Sequence, residues 1–176
     1  MQLKLNREFA MRHIGVAVLF AALCGWFAWD GGLAWPAENA AWEKRTGITV
    51  GAAAKAHTEE RYAHNKEGRD DIPPHWPWEI DRQFQFAGLC GLAALIIGAG
   101  VLRCSRQSLV WNDTQMCGSL TDGEPVAFDD IVECDTRKWK KKGILTLRTK
   151  SGRKIPLDSW HHNGVKELAE KCGVKD

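Results

Sequence analysis

FQFAGLCGLAALIIGAGVL, Phe84 to Leu102, decides the fold. These nineteen residues carry no charged side chain, and the first charge beyond them is Arg103. At about 1.5 Å per residue the helix they predict runs roughly 28 Å, close to the hydrocarbon thickness of a bilayer. A core helix of a soluble domain keeps one polar face, and this stretch has none. We therefore expect a transmembrane helix over 84–102. A Trp-rich segment precedes it and a basic, strand-patterned segment follows.

A second uncharged run, IGVAVLFAALCGWFAW, covers Ile14 to Trp29. It continues weakly through Leu33 and Trp35, and Arg12 can snorkel, so a span over 14–35 is expected. The alternative is a cleaved signal peptide, given the basic start, the apolar middle and the small residues near Gly32-Leu33-Ala34. Bulky Trp26 and Trp29, with Pro36 close behind, argue for retention. Charge then orients the pair. The local balance is +2 over residues 1–13, −3 over 30–83 and +3 after Leu102. The excess of Lys and Arg at both ends puts both termini in the cytoplasm and 36–83 outside. The expected protein is an integral membrane helical hairpin, in a bacterium an inner-membrane one. None of the six cysteines lies between Asp30 and Gln83, which fits free thiols in lipid and reducing cytosol.

Each helix carries a stripe of small residues. Ala17, Ala21, Gly25 and Ala28 lie on one face of the first, and Ala87, Gly91, Ala94 and Gly98 on one face of the second. Small residues let backbones approach in lipid, so each stripe is expected to be the other's partner. Between the spans, PAENAAWEKR should form a short helix begun at Pro36 and ended at Gly47, with a second piece over about 52–66. Trp26, Trp29, Trp35, Trp42, Trp76 and Trp78 flank the spans on this outer side. Trp rings favour the headgroup layer, so the segment is expected to cap the outer leaflet or to meet a partner there.

A linker over 103–108 leads into a third region, 109–176. Leu109 to Trp111 reads as a strand before an Asn-Asp-Thr turn. Val126 and Phe128 alternate around Ala127, and Val132 and Cys134 share a face with Glu133 and Asp135 opposite. In the hairpin ILTLRT–KSG–RKIPL, Leu145 and Leu147 match Ile155 and Leu157 on one face, and Pro156 marks an edge strand. Asn163 reads as an N-cap for a last helix bearing Val165, Leu168, Ala169 and Cys172, stopped at Gly173. The fold class is thus two transmembrane helices plus a small α+β domain of antiparallel strands with one C-terminal helix.

The order of elements from Leu109 to Cys172, with FDDI (Phe128 to Ile131) before a strand and the SGRKIPL hairpin arm, resembles the pleckstrin-homology-like domains that bacteria attach to membrane helices. The resemblance covers about two-fifths of the chain and implies scaffolding or assembly rather than a chemistry.

The strongest candidate site is RKWKKKG. Arg137, Lys138, Lys140, Lys141 and Lys142 crowd one turn with Trp139, close to the inner leaflet. There they would bind anionic lipid or a partner, with Trp139 either inserted in the interface or packed inward. A nucleic-acid surface needs a broader basic face than the +3 balance after Leu102 supplies. Cys117, Cys134, His161 and His162 lack metal-ligand spacing, and His57, His64 and His75 are scattered, so no metal and no cofactor are expected. No P-loop, GxSxG, HExxH or dinucleotide fingerprint is present, and the spans hold no charged residue for transport. Only a deep pocket of Asp129, Asp130, His161 and His162 would revive an enzyme. The expected function is a non-enzymatic membrane-anchored interaction or scaffolding protein whose partner is a protein or membrane lipid. The alternative is an accessory subunit of a larger membrane complex or a homo-oligomer; an exposed small-residue stripe would favour that alternative.

Overall fold

The computed structural model describes residues 1–57 and 71–174. In chain order the elements are β1 (Lys4–Leu5), α1 (Arg7–Trp29), α2 (Trp35–Thr46), α3 (Val50–Ala56), α4 (Pro77–Ser105), β2 (Val110–Trp111), β3 (Gln115–Cys117), β4 (Val126–Ala127), β5 (Ile131–Asp135), α5 (Trp139–Lys142), β6 (Ile144–Thr149), β7 (Lys154–Asp158), β8 (His162–Asn163) and α6 (Val165–Lys171). A π-helical turn, Asp30–Ala34, joins α1 to α2 without a break. Two helices, Arg7–Thr46 and Pro77–Ser105, are long and apolar enough to cross a membrane. The second is longer than the uncharged stretch at both ends, because Pro77 suits a first helical turn and the Glu79 carboxylate accepts the Trp76 N–H at 2.7 Å. The chain divides into two compact units, Val16–Ile96 and a unit that combines Met1–Gly15 with Ile97–Asp176.

In the first unit the two helices run antiparallel, and they meet differently from the expectation. Ala87 is buried and Gly91 and Ala94 are half-buried, so the second helix does turn its small stripe inward. Opposite it the first helix presents Phe20, Cys24 and Phe27 rather than its own small stripe. A side chain added at Gly91 would lie 3.3 Å from Cys24 Sγ, and the Phe27 and Phe86 rings are 5.5 Å apart. Ala17 is half-buried, but Ala21, Gly25 and Ala28 are exposed, and nothing lies within 4 Å of a Cβ built on Gly25. The reason is volume: two facing small-residue stripes leave a void unless the backbones nearly touch, whereas a larger side chain such as Cys24 fills the space at Gly91. Leu19, Leu23, Leu89, Leu92, Leu95 and Ile96 point outward, with Leu95 73% exposed.

The segment after α1 builds a small core of its own. Trp42 and Trp76, expected at a lipid surface, are buried with Ala53 and Ile72, while Trp26 and Trp29 stay exposed. Gly47 takes φ 70° and closes α2, as the sequence predicts. Asn39 exchanges two hydrogen bonds with the His75 backbone, donating to its carbonyl at 2.8 Å and accepting its N–H at 3.1 Å. The His75 ring stacks on Trp35 at 4.2 Å. Of the helical piece expected over 52–66, Val50–Ala56 is helical with Thr49 as its N-cap, and 58–66 lie outside the described residues.

The second unit contains two three-stranded antiparallel sheets, in the orders β2-β3-β4 and β5-β6-β7, followed by α6. Leu145 faces Leu157 and Leu147 faces Ile155, in the register that alternation predicts, and all four are fully buried. Pro156 sits on β7, the edge strand. Val132 departs from expectation. A bulge between Ile131 and Glu133 turns it outward, 59% exposed. Asn163 belongs to β8, and Gly164, in the left-handed conformation, occupies the N-cap instead.

The first five residues, expected from sequence as part of a short, basic, cytoplasmic N-terminus, form a bonded segment of this unit that ends in β1. The Met1 ammonium donates to the Trp111 carbonyl at 2.7 Å, Trp111 N–H to the Met1 carbonyl at 2.9 Å, and Leu3 N–H to the Leu109 carbonyl at 2.8 Å. Lys4 then pairs with Asn163 and Leu5 with His162. The segment bridges β2 to β8, and Leu3 is buried in the main core. Leu3→Ala should lower the stability of this unit by about 2–5 kcal/mol. Thermal unfolding of the full chain in mild detergent, followed by tryptophan fluorescence, measures it; an unchanged midpoint would mean that the strand is dispensable.

Candidate functional site

The basic run folds as one helical turn, α5, rather than as a bare hairpin turn. Gly143 ends it at φ 65°, donating its N–H to the Trp139 carbonyl at 2.7 Å. A side chain at Gly143 would overlap the Ser159 hydroxyl, so glycine is required there for both conformation and space. Trp139 packs inward, 7% exposed, among Leu145, Leu147 and Leu168 of the main core. Of the two arrangements open to it from sequence, this is the inward one.

Arg137 is committed locally. Its Nε and Nη2 donate to the two carboxylate oxygens of Asp135, at 3.0 and 2.6 Å. These hydrogen bonds, with the guanidinium charge, hold the Asp135 carboxyl well below the usual carboxylate range. The unspent charge is therefore carried by lysine. Lys138, Lys140, Lys141 and Lys142 are exposed, and none has a carboxylate partner among the described residues.

Two clefts flank α5. One, of about 570 Å³, has Arg137, Lys140 and Lys141 on its wall with Cys134 and Cys172. The other, of about 380 Å³, lies between Gly143 and Ser159, with Lys140 on one side and Lys166 on the other. Lys166 was not singled out from sequence. It stands 24 residues beyond Lys142 in the numbering and belongs to α6, so no local run of charge announces it.

Cys134 and Cys172 meet across β5 and the end of α6, with Cys134 Sγ 3.9 Å from the Cys172 carbonyl. Burial raises both thiols, and burial together with the neighbouring Cys134 pushes Cys172 up to about 12. Both are protonated at neutral pH and weakly nucleophilic.

The remaining candidates have other partners: Asp130 pairs with Lys150 at 3.2 Å, His161 faces Asp158 at 3.5 Å, and the His162 ring reaches the Cys104 carbonyl at 3.1 Å. Asp129 lines a cleft with Phe128, Ile131 and Lys171. Cys117 Sγ donates to the Gly123 carbonyl at 3.2 Å. His57 faces Asp71 and His75 faces Glu38, at 3.2 and 2.8 Å, while His64 lies outside the described residues. Among the described residues no three His, Cys, Asp or Glu side chains cluster as metal ligands.

No family model, curated protein or solved structure matches the chain.

Cys172 should react with iodoacetamide at neutral pH at least about tenfold more slowly in the folded chain than in urea, since each unit of raised pKa removes a factor of ten in thiolate. Mass spectrometry of the labelled peptide reads the rate. The sign for stability follows: the protonated thiol is favoured by folding, so its contribution is lost as pH rises from the ordinary thiol range toward 12.

Proposed function

We propose that the chain is a two-span membrane protein of the inner-membrane type, without enzymatic activity, whose folded unit is an interaction module held at the cytoplasmic face. The observation that carries this reading is the outward apolar surface of the helices. Leu92, Leu95 and Ile96 on one helix, and Val18 and Leu19 on the other, are each more than half exposed. Water solvates such a belt at a large cost, and lipid covers it at none. The common unit of residues 1–15 and 97–176 supports placing both chain ends on one side, and the basic balance of those ends supports the cytoplasmic side. Two antiparallel three-stranded sheets followed by a helix support a pleckstrin-homology-like reading of the folded unit.

A second reading, an accessory subunit of a larger membrane complex, is favoured by one observation. Ala21, Gly25 and Ala28 form a small-residue face that the chain's own second helix leaves uncovered. Gly25→Leu places its side chain in open space, so the hairpin should survive it. On the subunit reading, native electrophoresis in mild detergent shows a larger assembly for the parent chain and its loss for this variant. An unchanged migration removes that reading.

Topology has a direct test. In a background with the native cysteines replaced by serine, Lys55→Cys should react with a membrane-impermeant maleimide on intact cells. Lys141→Cys should react only after permeabilisation. The opposite pattern, or labelling of both from outside, overturns the proposed orientation.

A further inference from the structure

Both apolar stretches end, on the side of the folded unit, against the turn that joins β7 to β8. Asn6 N–H donates to the His161 carbonyl at 2.8 Å, just before α1. The Phe9 ring packs on the His161 ring at 4.6 Å, and the His162 ring reaches the carbonyl of Cys104, near the end of α4. The residue directly before these histidines is Trp160. It is 43% exposed, its backbone N–H donates to Asp158 Oδ1 at 2.8 Å, and the Arg12 guanidinium lies 5.6 Å from its ring centroid. Arg12 stands two residues before the uncharged run that begins at Ile14, and Cys104 two residues after the one that ends at Leu102. At about 1.5 Å per residue both markers put this turn within a few ångströms of the hydrocarbon edge, at headgroup depth. A half-exposed tryptophan beside an arginine suits that layer.

The residue before Trp160 is Ser159, on the wall of the 380 Å³ cleft that Lys140 and Lys166 flank. Neither lysine has a carboxylate partner, and the Ser159 hydroxyl has no hydrogen-bond partner, among the described residues. Two unpaired ammonium groups and a hydroxyl that can donate line a small cleft whose wall holds no carboxylate, which suits a phosphate.

We propose that this cleft binds the phosphate of an anionic lipid headgroup, held by Lys140, Lys166 and Ser159, with Trp160 seated in the interface beside it. The assignment rests on the membrane-hairpin reading and names the ligand class of its cytoplasmic module. The inward Trp139 forms an apolar part of the cleft wall, and the interfacial ring is Trp160. The depth of the turn favours a headgroup over an acidic peptide, which would approach from water.

The test uses the full chain in a nonionic detergent and short-chain dioctanoyl lipids, with binding counted by native mass spectrometry. Dioctanoyl phosphatidylglycerol should bind saturably, and the double variant Lys140→Gln/Lys166→Gln should weaken it by about tenfold or more. The pair Lys140→Arg/Lys166→Arg should retain binding, and Lys154→Gln, an exposed lysine on β7, should leave it unchanged. Equal binding of dioctanoyl phosphatidylcholine, no effect of the double variant, or equal competition by inorganic phosphate or a glutamate-rich peptide would each overturn the assignment. In bilayers, phosphatidylglycerol brominated high on its chains should quench fluorescence that Trp160→Phe removes; no difference between parent and variant sinks the placement of the ring. Because binding in detergent does not depend on sidedness, its failure is distinct from a reversed maleimide pattern.

Discussion

The folded unit closes on a strand of five residues contributed from the far end of the chain. Met1 to Leu5 bond to the backbone of Leu109–Trp111 along one edge and to His162–Asn163 along the other. Without them the N–H and C=O groups of two short edge strands would be left for water, and the buried Leu3 would leave a gap beside Leu109 and Trp111. The same five residues lead straight into α1, so the strand also fixes where the first helix begins. Cys104, through its carbonyl, fixes the second helix to the same turn. One small strand thereby sets the spacing of both helices at this end and the position of Trp160 between them.

That constraint was the least legible part of the sequence. A two-residue strand has no periodicity, and its partners lie more than a hundred residues away, so nothing local marks Lys4 and Leu5 as paired. The hairpin of Leu145, Leu147, Ile155 and Leu157 was fully legible, because strict alternation around a Lys-Ser-Gly turn fixes register locally. Val132 shows the limit of the same logic. A bulge breaks the alternation at one residue, and a single exposed valine is invisible to a pattern read over five.

The helices teach a related lesson about faces. Small residues mark a groove, and Ala87 and Gly91 lie on the inward side of the second helix. What fills a groove is decided by volume, and Cys24 supplies it at Gly91 where Ala21 and Gly25 cannot. The basic site divides in the same way. Lys140 was visible as part of a run of charge, whereas Lys166, Ser159 and Trp160 are brought to it by the return of β7 and the start of α6. Trp139 and Trp160 were indistinguishable by composition; the core takes the first, on the inward side of α5, and leaves the second on a turn.

The late pairing of the closing strand has a consequence for assembly. The partners of Met1–Leu5 are made after both apolar stretches. The strand therefore waits through synthesis of both helices before it can pair, a contact of very high sequence separation. On the hairpin reading, the two ends meet only when both helices are inserted with the same polarity. A chain with one helix inserted and the other left out, or inserted to give opposed ends, cannot close its folded unit. Completion of the domain then depends on correct insertion, and an exposed Leu3 edge is the physical mark of a chain that failed.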